Sequence, residues 1–260
     1  MAARWDPATY LRFADERTRP FADLLARVDS DPTTIVDLGC GPGHLTAILR
    51  ARWPRAAVVG VDSSPDMITR ARAEATDPSV SYVEADLRDW RPRRAPDLLV
   101  SAATLQWVPG HLELVSTLAD SVADPGVFAF TVPANFDAPS HVLLRELAGA
   151  EPYAPHTAGV EQPAAHDAHK YLTALSRPGW SVDAWETTYP HVLHGPDPVL
   201  SWISGTGARP VLQALPDELR ARFEAEYAAG LRAAYPAEPH GTVHPFRRVF
   251  VVARRDSVHQ

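Results

Sequence analysis

Residues 33–45 read TTIVDLGCGPGHL, and this stretch decides the fold. Its first half, 33–38, is a short apolar run typical of a buried strand. Three glycines follow at alternate positions, and from 44 to 52 apolar residues recur with the spacing of a helix. A strand, a glycine turn and a helix in this order predict the first βα unit of a parallel α/β sheet, with main chain open to a ligand at the turn.

The same alternation continues beyond that unit. Prolines and glycines separate apolar runs of strand length from stretches with helical spacing. Strands are predicted over 57–61, 80–84, 96–101 and 127–132, and helices over 44–52, 66–75 and 112–122. Such spacing predicts right-handed βαβ units in a mostly parallel sheet with helices on both faces.

The last third of the chain is organised differently. Late strands are predicted over 182–189 and 249–253, with helices over 198–204 and 216–234 between them. These helices predict an insertion between the final two of seven strands.

We therefore predict one domain over 1–260 with two additions to the sheet. One is an N-terminal helix over 6–29, and the other is a helical cap insertion over about 192–243. The stretch 151–170 is rich in Pro, Ala and His and predicts no regular element.

The bulk composition narrows the class of protein. The chain has 260 residues and a net charge of −7, so non-specific binding to nucleic acid is not expected. Cys40 is the single cysteine, which indicates a reducing compartment. Neither a signal peptide nor an apolar run of membrane-spanning length is recognisable, so a cytoplasmic protein without membrane contact is expected.

The glycine turn indicates the kind of cofactor. Asp37 precedes the pattern G-x-G-x-G, which differs from the dinucleotide fingerprint and lacks the Gly-Lys-Ser/Thr of a phosphate loop. An acid at this position suits a cationic amino group better than a pyrophosphate. S-adenosylmethionine carries such an amine and has no phosphate, so it is the predicted cofactor.

Further candidates follow the next strands, at the edge of the sheet where ligands bind in open α/β folds. Asp62 is placed to accept both ribose hydroxyls, Asp86 and Leu87 to meet the adenine edge, and Met67 to pack on its face. Taken singly, Asp62 is also explained as a helix cap, Asp86 as a solvated acid and Met67 as core. The predicted cofactor contacts are Asp37, Gly39, Cys40, Gly41, Gly43, Asp62, Ser63, Met67, Asp86, Leu87, Ala102 and Trp107.

These residues resemble the class I methyltransferases, which have a Rossmann-like α/β fold. Further blocks are similar to the trans-aconitate 2-methyltransferase family and extend over nearly the whole chain. They are WDP at 5–7, EADLRDW at 84–90, LQWVP at 105–109, DAWETTYPH at 183–191, TGARP at 206–210 and PFRRVF at 245–250. The resemblance implies a bacterial enzyme that transfers the methyl group of S-adenosylmethionine to one carboxylate of trans-aconitate. Residues 151–170 match none of its motifs.

A carboxylate acceptor determines what the enzyme must supply. It is already ionised near neutral pH, so no catalytic acid or base is predicted. The rate enhancement is expected to come from alignment of the two reactants and exclusion of water. Arginine suits an acceptor with several negative charges because its planar fork binds carboxylates in bidentate fashion. The predicted acceptor contacts are Tyr10, Arg19, Trp107, Asn135, Tyr189, His191, Arg209 and Arg247, with Arg248 pointing away if the strand is extended.

Three alternatives remain open at the level of sequence. In the first, the acceptor is another small carboxylic acid, or a natural-product hydroxyl that requires a base such as His191 or His111. In the second, the chain is a protein that binds S-adenosylmethionine without catalysis. His166, Asp167 and His169 lie close together in the sequence, but the His-x-x-His spacing has no recognisable third ligand, so no metal is predicted and a solvated loop is favoured. The oligomeric state is left open.

Overall fold

The computed structural model describes residues 14–256, and for residues 14–17 it describes the backbone alone. Of the predicted N-terminal helix, the described part is α1, Ala14–Ala26. Tyr10 and the other positions before residue 14 lie outside the described residues. The described chain divides into two compact units, a larger one of residues 14–133, 165–187 and 248–256 and a smaller one of residues 134–164 and 188–247.

The larger unit contains the sheet and the helices that alternate with its strands. Its elements up to residue 133 are β1 (Thr34–Leu38), α2 (His44–Arg52), β2 (Ala57–Asp62), α3 (Pro65–Glu74), β3 (Val80–Glu84), β4 (Leu98–Ala102), α4 (His111–Asp120) and β5 (Gly126–Pro133). α7 (Ala168–Leu175) follows later, and parts of β6 (Trp180–Leu193) and β8 (Gly241–Arg255) complete the unit.

The direction of the strands agrees with the predicted, mostly parallel sheet. The order is β3-β2-β1-β4-β5-β8-β6, in which β1 to β5 run parallel and β8 pairs antiparallel with β5. All five residues of β4 are buried, and so are residues 249–253 of β8. Strands covered on both faces need continuous apolar runs, which explains why these strands were recognisable from the sequence. The prediction of a Rossmann-like α/β fold with seven mostly parallel strands is confirmed, and one short extra strand pairs with β8.

The smaller unit is mainly helical. It contains α5 (Pro139–Ala148), α6 (Ala154–Thr157), α8 (Pro198–Ser204), α9 (Arg209–Ala214), α10 (Asp217–Ala234) and the two-residue strand β7 (Ala237–Glu238). α10 buries Phe223, Tyr227 and Leu231 at four-residue spacing, the stripe that an amphipathic helix turns to its neighbours. The Tyr227 hydroxyl donates to the Ser140 carbonyl on α5 at 2.6 Å, which fixes the register between these two helices.

The predicted insertion helices are present, and other elements were missed. No element was predicted for 139–148, 154–157, 168–175 or 209–214, where the structure has α5, α6, α7 and α9. The stretch 151–170 contains α6 and the start of α7. α5 and α9 have no side-chain cap, and α6 is only four residues long, so their local signals are weak. A single domain with residues 192–243 acting as a cap remains a prediction.

Candidate cofactor site

The glycine turn is tied to the end of the second strand. The amide groups of Gly39 and Cys40 both donate to the Val61 carbonyl, at 2.7 and 3.1 Å. Gly39, Gly41 and Gly43 all have positive φ, at 75°, 55° and 89°, a region that side chains with a Cβ rarely occupy. Backbone geometry therefore favours glycine at each of the three positions.

The three glycines differ in how much space surrounds them. A Cβ at Gly39 would overlap the side chain of Thr104, and one at Gly43 would overlap the hydroxyl of Tyr82. At Gly41, in contrast, no atom of the described residues lies within 4 Å of such a Cβ. The sequence argument, in which glycine admits a cofactor, therefore applies at Gly41, whereas Gly39 and Gly43 make room for protein side chains.

Asp37, the acid before the glycines, is buried at the end of β1 with 1% of its surface exposed. The Thr46 hydroxyl, on α2, donates to its Oδ2 at 2.6 Å. Burial raises the pKa of Asp37 to about 7, the Thr46 hydrogen bond opposes this shift, and the nearby charge of Asp62 adds to it. A buried acid with this pKa gains most from a neighbouring cation, which suits the predicted contact with an ammonium group.

Asp62 connects the turn to the next helix. Its Oδ2 accepts from the Gly41 amide at 2.9 Å, and its Oδ1 accepts from the Ser64 amide at 2.8 Å. Burial raises the pKa of Asp62, and these amide hydrogen bonds oppose the shift. A carboxylate has about four lone-pair positions, so each oxygen keeps acceptor capacity for the predicted ribose hydroxyls. The structural role and the binding role are therefore compatible.

The predicted adenine contacts differ in their surroundings. Arg88 donates through Nε to both carboxylate oxygens of Asp86 at 3.0 Å, and this pairing lowers the pKa of Asp86. Leu87 and Met67 are buried, with 9% and 4% of their surfaces exposed. A partly exposed ion pair and two buried apolar side chains are also what a structure without a ligand would contain, so these contacts stay predictions.

The remaining cofactor candidates surround the turn. Cys40 is 3% exposed and burial raises the pKa of its thiol, so it serves as a packing residue, not as a nucleophile. Ala102 is the buried last residue of β4, Ser63 is exposed after β2, and Trp107 is half-buried at the end of a 3-10 turn, Leu105–Trp107.

The acceptor candidates fall in both units. Arg19, on α1, is exposed, and it lies with Trp107 in the larger unit. The other described acceptor candidates lie in the smaller unit: Asn135, Tyr189, His191, Arg209 and Arg247. There Tyr189 and His191 stack with ring centroids 6.2 Å apart, and His191 also contacts Trp202 at 4.8 Å. The structure thus brings together two candidates and an aromatic cluster that the sequence did not reveal.

The polar candidates of the smaller unit are mostly buried. Arg209 is 9% exposed, and Arg247 donates through Nε to the Ala134 carbonyl at 2.9 Å. Asn135 is 5% exposed, and neither its amide nitrogen nor its amide oxygen has a hydrogen-bond partner among the described residues. Because a buried polar group without a partner costs free energy, Asn135 is the acceptor candidate with the strongest local support.

His111 does not have the properties of a general base. Its Nδ1 lies 3.1 Å from the Val108 carbonyl, and its Nε2 lies 2.6 Å from the Tyr171 hydroxyl. The carbonyl can only accept, so Nδ1 carries the proton and Nε2 accepts from Tyr171. Burial lowers the pKa of His111 as well. Both nitrogens are therefore engaged, which argues against the hydroxyl-acceptor alternative through this residue.

Metal-binding clusters and membrane-spanning helices are both absent from residues 14–256. No group of three or more His, Cys, Asp or Glu side chains there is arranged to hold a metal ion. No helix in the same range has the length and apolar character needed to cross a bilayer.

Comparison with known proteins supplies the family. The profile of the methyltransferase domain family matches residues 10–174. A trans-aconitate 2-methyltransferase of Streptomyces coelicolor is 52% identical over 265 residues, which covers 98% of this chain and 88% of that protein. One of Streptomyces avermitilis is 49% identical over 262 residues and covers 97% of both chains. The chain belongs to the trans-aconitate 2-methyltransferase family.

A solved structure supports the fold of this methyltransferase. An S-adenosylmethionine-dependent methyltransferase from Mesorhizobium loti superposes with a TM-score of 0.53 at 22% identity, covering 90% of this chain and 97% of that one. The family resemblance drawn from the sequence motifs is confirmed by the near-full-length relatives.

Proposed function

We propose that this methyltransferase transfers the methyl group of S-adenosylmethionine to a carboxylate of trans-aconitate. The products are a monomethyl ester and S-adenosylhomocysteine. Identity near 50% with enzymes named for this reaction, over almost the entire chain, is the observation that carries the proposal. It covers the smaller unit as well as the cofactor-binding sheet.

The glycine turn fits the cofactor through three features. Asp37 is buried with a pKa near 7 and is ready to balance an ammonium group. Gly41 leaves its main chain accessible, and Asp62 keeps acceptor capacity for hydroxyls. The sulfonium group of the bound cofactor supplies an activated methyl group. The protein supplies binding and orientation.

Acceptor recognition is assigned to the smaller unit. We propose that Arg209 pairs with one carboxylate and that the amide of Asn135 bonds to another. Arg247, like Arg209, belongs to a sequence block that resembles the family. An ionised carboxylate attacks without losing a proton, so no side chain has to act as a base. The work of the protein is to align the two reactants and exclude water, which contributes roughly 7–11 kcal/mol in favourable cases.

A small polycarboxylate is the acceptor in this proposal, and we infer a cytoplasmic location from the single cysteine, Cys40.

A mass-spectrometric assay tests the proposed reaction. Purified enzyme with S-adenosylmethionine is incubated with trans-aconitate, citrate or isocitrate, and each acid is examined for a gain of one methyl group. We expect the monomethyl ester of trans-aconitate together with an equal amount of S-adenosylhomocysteine. Bound cofactor with no methylated acid would contradict the proposal and favour a binding protein, whereas methylation of citrate alone would move it to another acceptor.

A further inference from the structure

Ala103, directly after β4, has a backbone conformation that a residue with a Cβ rarely adopts. Its φ is 54°, in the left-handed region, and among the described residues other than glycine only Asp197 shares a positive φ. Such strain costs free energy and persists only where the surrounding structure holds it in place. Ala103 lies at the edge of the sheet where ligands bind in open α/β folds, a place where strain is commonly part of function.

Two hydrogen bonds hold Ala103 from opposite sides. Its amide donates to the Thr131 carbonyl at 2.8 Å, which continues the pairing of β4 with β5. Its carbonyl accepts from Nε2 of Gln106 at 2.6 Å. Because the direction of that carbonyl depends on the torsion angles of Ala103, the bond from Gln106 is the one that holds the left-handed conformation.

The Gln106 side chain is used through its amide nitrogen. Gln106 is buried, with 5% of its surface exposed, and its amide oxygen has no hydrogen-bond partner among the described residues. A buried polar atom without a partner costs free energy, a cost that an apolar side chain of the same size would avoid. The contribution of a glutamine at this position is therefore the hydrogen bond that it donates to Ala103.

Thr104, the residue after Ala103, lies against the glycine turn. Its hydroxyl donates to the Ala102 carbonyl at 3.2 Å and lies 3.5 Å from the carbonyl oxygen of Gly39. A Cβ at Gly39 would lie within 2 Å of Thr104 Oγ1, at 1.9 Å. β1 and β4 are parallel neighbours, so the glycine turn and this loop leave the sheet side by side. The conformation of Ala103 therefore decides whether Thr104 packs on the turn.

We propose that Gln106 is a positioning residue for cofactor binding. Its amide holds Ala103 in the left-handed conformation, and this conformation keeps Thr104 packed against Gly39. The main chain of the glycine turn is the predicted binding surface for S-adenosylmethionine, so a loop that supports the turn from the neighbouring strand keeps that surface in place. The inference rests on the proposed function only through the cofactor-binding role of the turn, and it is independent of which acid is methylated.

The test combines Gln106→Met with Ala103→Gly, and the cofactor Kd is measured by calorimetry with S-adenosylmethionine. Methionine keeps the length of the side chain and removes the donor, so residue 103 can leave the left-handed region. We expect Gln106→Met to weaken the Kd about 3- to 10-fold, because the conformation that binds is then only partly populated. Glycine occupies the left-handed region without strain, so the double variant should bind within about twofold of wild type.

Three further variants establish the order of the contacts. Ala103→Gly alone should leave the Kd unchanged, because the wild-type protein already has the required conformation. Gln106→Asn, which is one methylene shorter, should weaken the Kd and be restored by Ala103→Gly in the same way. Thr104→Ala should weaken the Kd whether residue 103 is alanine or glycine, because the lost contact then lies beyond the strained residue.

Thr157→Val is the matched control. It removes another buried side-chain donor to a carbonyl, that of Ala148 at 2.6 Å, in the smaller unit. We expect a lower melting temperature and an unchanged cofactor Kd, which separates a loss of stability from a loss of positioning.

The outcomes are distinct. An unchanged Kd in the Gln106 variants, or a weakened Kd that Ala103→Gly does not restore, would overturn the inference. An unchanged Kd in Thr104→Ala would also overturn it, because the contact with Gly39 would then have no effect on binding. If the Kd values change as expected but trans-aconitate is not methylated, the proposed acceptor fails and the role of Gln106 stands.

Discussion

At the scale of single residues, Asp37 shows that binding and stability make opposite demands. An acid buried under the turn is unfavourable as long as no cation is bound, because burial penalises its charge. The pKa of Asp37 in the folded protein, about 7, lies above its ordinary value of 3.8. Between these two values the folded state binds a proton that the unfolded state has lost, so stability falls as pH rises through this window.

Asp37→Asn should therefore stabilise the cofactor-free protein and weaken cofactor binding. Asparagine keeps an oxygen that accepts from Thr46 and removes the penalty for charge. We expect an increase in the free energy of unfolding at pH 8 on the order of 2–4 kcal/mol, and no increase near pH 4. Urea unfolding at both pH values checks this. An equal change at both would show that the buried charge is not responsible.

Arg209→Ala should raise the KM for trans-aconitate about 10- to 100-fold and leave the cofactor Kd nearly unchanged, because a charge-assisted hydrogen bond to the acceptor is lost. Arg209→Lys tests whether a point charge without the planar fork is sufficient. The matched control is Arg222→Ala, an exposed arginine of the same unit that pairs with Glu226 at 2.7 Å. Loss of cofactor binding in Arg209→Ala would remove this arginine from the acceptor site.

At the scale of elements, α3 illustrates how a local signal fixes a boundary beside the site. Ser64 is its N-cap and its side chain accepts from the Met67 amide at 3.4 Å, while Pro65 occupies the first helical position. The preceding carboxylate, Asp62, accepts the Ser64 amide, so the cap and the predicted ribose ligand lie in one short loop. Helix initiation and the predicted cofactor contacts therefore involve the same few residues.

Ser64→Ala should lower the free energy of unfolding by about 1 kcal/mol, since the cap hydrogen bond is lost. Ser63→Ala is the neighbouring control, because Ser63 is exposed and is not the cap. We expect thermal denaturation to give a lower melting temperature for Ser64→Ala than for Ser63→Ala. Equal melting temperatures for both variants would mean that the cap hydrogen bond contributes nothing.

Elements also show what sequence could predict. The strands β1, β2, β4 and β5 were found because each is a mainly apolar run between turn residues, and α2 and α3 because their starts carry glycine or capping signals. The roles of Thr104 and Tyr82 could not be found, because they depend on which residues face each other across the sheet. The register between β1, β2 and β3 depends on pairing between strands that are separate in the sequence, so no single stretch of the chain predicts it.

At the scale of the whole molecule, the buried histidines of the smaller unit respond to acid in the direction opposite to that of Asp37. The smaller unit buries His141 and His244, and burial lowers the pKa of each to about 4, with the charges of neighbouring Arg145 and of the other histidines adding to this. Unfolded histidine titrates near 6.5, so their contribution to stability is lost as pH falls from about 6.5 towards 4. Asp37, in the larger unit, gains stability over much of the same range.

Mild acid should therefore loosen the smaller unit first. Hydrogen exchange at pH 5, corrected for the intrinsic pH dependence of exchange, should show lost protection in residues 134–164 and 188–247 before residues 34–133. His244→Phe should reduce that loss, whereas His240→Gln, with a histidine side chain that is 57% exposed, should not. Uniform loss of protection in both ranges would contradict this expectation.

The place of β8 between β5 and β6 has a consequence for synthesis on the ribosome. β5 is complete at residue 133, but its antiparallel partner is made only when residues 248–255 emerge. For the intervening hundred or so residues of translation, a buried hydrophobic strand has an unpaired edge, the feature through which incomplete chains associate. A ribosome stalled before that last strand would release a polypeptide that has its glycine turn but is prone to aggregate.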